Sequence, residues 1–389
     1  MSADWKDIAQ KIKKIHKNKD FVPLHEPSFT ETEVEYVTDC IRSGWVSSVG
    51  KYVDQFERDL ADYTGVKRAV AVVNGTAALH ISLKIAGVQA GDEVIMPALT
   101  FIATANAVSY LNAVPHFADV SETTLGLDPI KLETYLTEIG TMKNGVLVNK
   151  QTDRIIRAVV PMHTFGHPVD LDPLVELCAR FNLALVEDAA ESLGSFYKGK
   201  HTGGFGIAGA LSFNGNKIIT TGGGGVILTN DDQFADYAKH ITTTAKIPHP
   251  WEYRHDEVGY NYRMPNINAA LGCAQLEKMD LFLNSKRKTT VKYAELLEQL
   301  DGVKLFQEPS FARSNYWLQT MVLDEKFHNR NYVLEQLNEK GAMARPIWTP
   351  INRLEPYKDC QAMDLTITNN FNERIVNIPS TPLKGDPHE

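Results

Sequence analysis

From about residue 66 onward, short runs of β-branched residues and alanine alternate with amphipathic stretches, and this alternation restricts the fold more than any other feature. Residues 68–73 form the first apolar run. Asn74-Gly75-Thr76 follows, then a helical pattern at Ala78, Leu79, Leu83 and Ile85 that Gly87 ends. Residues 93–96 and 114–117 read as strands on either side of a helix over 102–111. Residues 155–162 read as another strand, and Asp170 with Pro173 opens a helix through 181, an acidic cap and an early proline. Residues 183–186 then form a buried strand running into Glu187 and Asp188. Strands separated by helices lie parallel in one sheet, with helices covering both faces. In such sheets ligands collect beyond the carboxyl ends of the strands, where both Asn74-Gly75-Thr76 and Asp188 fall.

After about residue 265 the character changes. Residues 266–279 and 283–300 read as long helices, 316–323 as a strand, and 332–340 as a helix ended by Gly341. The expected division is an N-terminal helical extension over 1–30, a large domain over 31–265 and a smaller α/β domain over 266–389. There are no internal repeats and no low-complexity linker.

Composition narrows the function classes. A chain of 389 residues, 43% hydrophobic, buries enough surface to fold without staples. Its formal net charge of -8 lacks the basic footprint of a nucleic-acid binder. No window of 18 uncharged apolar residues exists, so membrane insertion is not expected. The first twenty residues hold six lysines, with Trp5, Ile8, Ile12 and Ile15 at helical spacing and Asp4 and Asp7 diluting the charge. They read as a surface helix packed on its own protein, not as a secretory signal, and a cytoplasmic location is expected. Cys40, Cys178, Cys273 and Cys360 are widely spread without zinc spacing, so reduced thiols and no metal site are expected.

Three stretches carry candidate chemistry. At Asn74-Gly75-Thr76, a strand, a glycine turn and a helix start offer free N–H groups and a dipole end to an anion. The same residues would also serve as an ordinary turn with a threonine cap. Asp188, ending an apolar strand, is a carboxylate in want of a cationic or N–H partner, or else the N-cap of the next segment. Ser212 to Lys217 precedes Thr220-Thr221 and four glycines, Gly222 to Gly225, which let backbone approach a ligand closely. Residues 226–228 then read as a strand, so this is not a dinucleotide fingerprint, and no Walker lysine follows it. Lys217, between small polar residues and Ile218-Ile219, would be a nucleophile if its amine lost a proton; otherwise it is one more surface lysine. Taken together, a phosphate cradle, a carboxylate at a strand end and a later lysine are what pyridoxal phosphate needs.

Six stretches support that reading. They are Ser43-Gly-Trp45 with Gly50, Asn74-Gly-Thr-Ala-Ala-Leu79, Pro97-Ala-Leu-Thr-Phe101 through Asn106, Glu187-Asp-Ala-Ala190, Ser212-Phe-Asn-Gly-Asn-Lys217 and Gly259-Tyr-Asn-Tyr-Arg-Met264. In these the chain resembles the DegT/DnrJ/EryC1/StrS sugar aminotransferases over nearly its whole length. The resemblance implies the fold type I architecture of pyridoxal phosphate enzymes, an α/β large domain with a mostly parallel sheet plus a smaller C-terminal α/β domain. Val49-Gly-Lys51, Pro161 to His167, Thr242 to His249 and Asn266 to Gln275 look like the branch serving legionaminic acid and bacillosamine-type sugars. That branch aminates C4 of a nucleotide-linked 4-keto-6-deoxy sugar.

Position by position, the resemblance implies that Lys217 is the Schiff-base lysine and proton carrier, and that Asp188 keeps the pyridine nitrogen protonated. Phe101 would stack on the cofactor ring, and Gly75, Thr76 and Ser212 would bind its phosphate. Asn261 would reach that phosphate from the partner subunit of a homodimer. Glu191 stands where many relatives have Gln or His near the phenolic oxygen; a carboxylate there repels unless it is protonated or paired. Trp45, Tyr316, Trp317 and Arg345 are candidates for the sugar site. The expected partners are a nucleotide-linked keto sugar, probably UDP-linked in that branch, and glutamate as donor, with a pyridoxamine form between two half-reactions. Rival readings are a GDP-linked or C3-acting member, a sugar dehydratase (which would replace the lysine with histidine) and a non-catalytic regulator. The family's usual final helix is not legible after Ile378, so the small domain is expected to close differently or the chain to be shortened.

Overall fold

A computed structural model describes residues 4–383; residues 384–389, on which part of the expectation about the final helix rests, lie outside the described residues. Helix α1 (Trp5–Ile15) precedes α2 (Glu31–Ser43), α3 (Lys51–Thr64) and the first strand, β1 (Arg68–Val72). Then α4 (Gly75–Ile85), β2 (Glu93–Pro97), α5 (Ile102–Ser109), β3 (Val114–Ala118) and α6 (Pro129–Ile139) alternate. A hairpin of β4 (Gly140–Lys143) and β5 (Val146–Asn149) leads into β6 (Ile155–Val159), α7 (Leu171–Phe181) and β7 (Ala184–Asp188).

The main sheet runs β1, Gly225–Thr229, Ala208–Ser212, β7, β6, β2, β3. The pairs from Ala208–Ser212 to β3 are parallel, and Gly225–Thr229 is antiparallel to both its neighbours. The strands along this path are five-residue runs buried almost throughout, because helices cover both faces. The alternation therefore predicts a mostly parallel sheet, whereas the strand Ala208–Ser212 and the β4–β5 hairpin are additions that it does not mark. One local expectation changes: Asp170 precedes α7, but its side chain accepts from the Tyr197 hydroxyl (2.6 Å) and not from the helix N–H groups.

Helices α8 (Asp232–Thr242), α9 (Asn266–Leu276) and α10 (Met279–Leu297) follow. The last two are nearly the pair expected from the sequence. Helix α9 packs on α2 and α3, and Ala269, Ala270 and Cys273 share a core with Phe56, Leu60 and Phe213. A four-stranded antiparallel sheet, ordered Val303–Leu305, Gln319–Leu323, Ile375–Ile378, Arg345–Pro346, packs with α11 (Arg330–Glu339) and α12 (Thr366–Arg374). Helix α1 buries Trp5, Ile8, Ala9 and Ile12 in the same cluster as Tyr293, Met321 and Val376, as its apolar spacing predicts. All four cysteines are free thiols. No helix of the described residues is long and apolar enough to cross a membrane.

Candidate active site

The carboxyl ends of β7 and Ala208–Ser212 and the N-terminus of α4 meet at one cavity of about 350 Å³. The Asn74 side chain caps α4 by accepting from the Ala77 N–H (2.8 Å). The first-turn N–H groups of Gly75 and Thr76 have no acceptor within a helix, and both residues line the cavity with Ser212. Close approach is what requires glycine here: a Cβ on Gly75 would lie 2.8 Å from the Ser212 Cβ. The glycine run is explained partly by packing. A Cβ on Gly225 would lie 2.3 Å from the Asn74 carbonyl carbon, so this glycine seats the strand against the cap, while Gly223 and Gly224 line the cavity.

Asp188 is buried at the end of β7. Its Oδ2 accepts from the Thr104 hydroxyl (2.7 Å) and its Oδ1 from the Ala190 N–H (3.2 Å). Burial raises its carboxyl above the ordinary range, and the Thr104 and Ala190 bonds only partly oppose this. The reading of Asp188 as a cap is thus half right: one oxygen holds a turn, yet the group lines the cavity without a cation in direct contact. Next to it, Glu187 points the other way. Burial raises its carboxyl too, but His163 and the N–H groups of Gly203 and Gly206 outweigh that and hold it low.

Lys217 leaves a tight turn in which its own N–H donates to the Asn214 carbonyl (3.0 Å). Its Nζ lies 3.4 Å from Glu191 Oε1 and 4.2 Å from the centre of the Trp317 ring. The Trp317 indole N–H donates to the Asn216 carbonyl (2.8 Å), so ring and turn are fastened together. Glu191 Oε2 accepts from the Phe165 N–H (2.8 Å), and Phe165 adopts the left-handed backbone region (φ 55°), a strained position for a bulky residue. Burial pushes the Glu191 carboxyl up to about 7, against the pull of Lys217. Near neutrality this carboxyl is therefore open to protonation, and the Lys217 amine is its ion-pair partner.

Phe101, 50% exposed, lines the cavity at the start of α5. Of the four sugar-site candidates, only Trp317 lines it. Tyr316 turns into the protein against His167 (5.3 Å) and Arg287, away from the cavity that Trp317 lines, and its own backbone is left-handed (φ 49°). Trp45 is 59% exposed and, like the exposed Arg345, lies outside the lining. Asn261 is also exposed and outside its own chain's cavity, bridged to Thr243. Asn74, Asn214 and Asn216 lie within the candidate stretches but without a role of their own in the sequence, and Thr104, Met162 and Trp348 are assigned no role there.

This arrangement fits pyridoxal phosphate. Gly75 leaves no room for a side chain at a helix N-terminus suited to phosphate. Asp188 is a buried carboxylate short of a cation, and a lysine amine stands across the cavity.

Comparison with known proteins agrees. The sequence pattern of the DegT/DnrJ/EryC1/StrS aminotransferase family matches residues 27–387. EpsN of Bacillus subtilis (strain 168), assigned as a pyridoxal phosphate-dependent aminotransferase, is 39% identical over 329 residues, 85% of this chain and 82% of its own. A GDP-perosamine synthase of Caulobacter vibrioides is 38% identical over 363 residues, 92% and 93% of the two chains. Among solved structures, the aminotransferase TlmJ from Streptoalloteichus hindustanus superposes with a TM-score of 0.83 at 26% identity, covering 92% of this chain and 93% of its own.

Proposed function

The chain belongs to the DegT/DnrJ/EryC1/StrS aminotransferase family, and within it we propose that the enzyme moves an amino group from glutamate to C4 of a UDP-linked 4-keto-6-deoxy-2-acetamido sugar, a step toward legionaminic acid or a related surface sugar. That it is a pyridoxal phosphate-dependent sugar aminotransferase follows from the family. The observation carrying the site assignment is the Lys217 amine, held in the cavity between the Glu191 carboxyl and the Trp317 ring.

When bound, the cofactor supplies an electron sink for the carbon whose proton is removed. The protein's residues do the rest. The N–H groups of Gly75 and Thr76 and the Ser212 hydroxyl hold the phosphate. Asp188, fixed by Thr104, would hold the protonated ring nitrogen, a cation that its buried carboxylate lacks within the chain. Phe101 packs on the ring. Lys217 would hold the cofactor through its amine, and the same amine is placed to move a proton at the reacting carbon. Glu191, whose carboxyl burial pushes up to about 7 in the cofactor-free chain, would take or give a proton beside that amine. Asn261 serves the site of a partner subunit, which accounts for its place outside its own cavity; the working unit is then a homodimer.

The resemblance of residues 49–51, 161–167, 242–249 and 266–275 to the branch serving legionaminic acid and bacillosamine-type sugars supports the UDP-linked substrate. A second reading has an observation of its own: GDP-perosamine synthases from three organisms are 35–38% identical to this chain, which favours a GDP-linked sugar. Both are tested by offering UDP- and GDP-linked 4-keto-6-deoxy sugars to the pyridoxamine form. The carrier that restores the yellow aldehyde form is the substrate's. If neither does while glutamate still bleaches the enzyme, the proposal fails.

A further inference from the structure

The cavity contains three aromatic side chains, and two are engaged by the catalytic machinery. Phe101 stands where the cofactor ring is expected, and Trp317 faces Lys217 with its N–H spent on Asn216. Trp348 is the third. Its ring lies 6.3 Å from that of Phe101 and 4.9 Å from that of Phe165, completing an apolar wall. It follows the strand Arg345–Pro346, and Asn372 of α12 fixes its carbonyl (3.0 Å). Phe165, against which it packs, is the residue whose N–H holds Glu191 beside Lys217. The wall therefore stands next to the reacting centre.

We propose that Trp348 is a specificity-determining residue, whose ring takes the methyl group on C5 of the sugar and selects 6-deoxy sugars over their 6-hydroxy counterparts. This rests on the reading of C4 as the aminated carbon. The methyl carbon is two bonds from C4, roughly 2.5 Å away at ordinary single-bond lengths. With C4 delivered to Lys217, the methyl must lie within the same cavity. Asn74, Asp188 and Ser212 serve the phosphate and the ring nitrogen, and among the apolar lining residues Leu79, Ala103, Met162, Trp317 and Trp348, the Trp348 ring is the one that lies against both Phe101 and Phe165, beside the reacting centre. A hydroxymethyl group would press its hydroxyl against aromatic carbon. Apolar pockets reject such an added hydroxyl by about 100-fold at most, so a preference of roughly 10- to 100-fold is expected.

The test runs the sugar half-reaction backwards. Two 4-amino sugars on the accepted nucleotide, identical except for hydrogen or hydroxyl on C6, are mixed with the yellow enzyme, and the second-order bleaching rates are compared. Wild type should favour the 6-deoxy sugar by roughly 10- to 100-fold. Trp348→Ala should bring the ratio to within about threefold, and Trp348→Phe should keep most of it. The ratio within each variant is the readout, so a general loss of activity cancels, and Trp348→Leu replaces the alanine variant if that one misfolds. An unchanged ratio in Trp348→Ala, or no preference in wild type, overturns the proposal. If glutamate bleaches wild type but neither amino sugar does, the C4 reading has failed and takes this assignment with it.

Discussion

Thr104→Val tests the support of Asp188 with almost no change of shape. The Thr104 hydroxyl has one proton, and of its neighbours Asp188 Oδ2 is nearest, at 2.7 Å, against 3.1 Å for Thr100 Oγ1 and 3.2 Å for the Phe101 carbonyl. Valine removes that donor and leaves Asp188 with the single 3.2 Å bond from Ala190. A hydrogen bond to a charged group contributes about 1.5–3 kcal/mol. In the apoprotein burial already works against the charged form of Asp188, so loss of the donor should cost apoprotein stability less than about 1 kcal/mol. With the cofactor bound, the carboxylate must stay ionised and bears the full loss. Cofactor affinity should then weaken roughly 10- to 100-fold, at about 1.4 kcal/mol per decade. Equilibrium titration followed by the cofactor's colour, alongside thermal melts of the apoprotein, measures both, and Thr104→Ser should restore affinity. A valine variant that binds within twofold of wild type would show that Thr104 does not support the Asp188 anion.

Four further outcomes are expected. Lys217→Ala should fold normally and lose turnover entirely, read by steady-state assay with circular dichroism as control. Asp188→Asn should lower turnover far more than melting temperature; the reverse pattern would make Asp188 a structural cap. Glu191 has a folded-state value raised to about 7 from 4.5, so its stabilising contribution is complete below about 4.5 and is lost as pH rises through about 7. Glu191→Gln apoprotein should therefore gain on wild type between pH 5 and 8, by up to about 3 kcal/mol in urea melts, whereas a pH-independent difference would contradict that assignment. Lys217→Ala and Asn261→Ala chains, each inactive alone, should on co-refolding recover roughly a quarter of wild-type activity, since half the dimers are mixed and each has one intact site; zero recovery with mixed dimers confirmed would refute sharing.

What was legible in the sequence follows from how local each signal is. Gly75, Thr76, Asp188, Ser212 and Lys217 lie at or just beyond strand ends, and strand ends are readable from apolar runs bounded by polar or glycine residues. Thr104 and Trp348 carry no such mark. Thr104 is a helical residue whose role appears only when α5 is laid beside β7. Trp348 reaches the cavity from the small sheet, far along the chain from Lys217. Tyr316 and Trp317 are alike in sequence, and only their packing, Tyr316 on His167 and Trp317 on Lys217, shows which ring faces the lysine. The four glycines were read as a ligand approach, yet Gly225 answers to the Asn74 backbone, a contact between elements about 150 residues apart.

The central claim is that Lys217 is the amine joined to the cofactor. Borohydride reduction of the yellow enzyme fixes whichever lysine carries that bond, and peptide mass spectrometry locates it. The account predicts one pyridoxyl group per chain, on Lys217. A pyridoxyl group on any other lysine, or none on an enzyme that remains yellow before reduction, would contradict it.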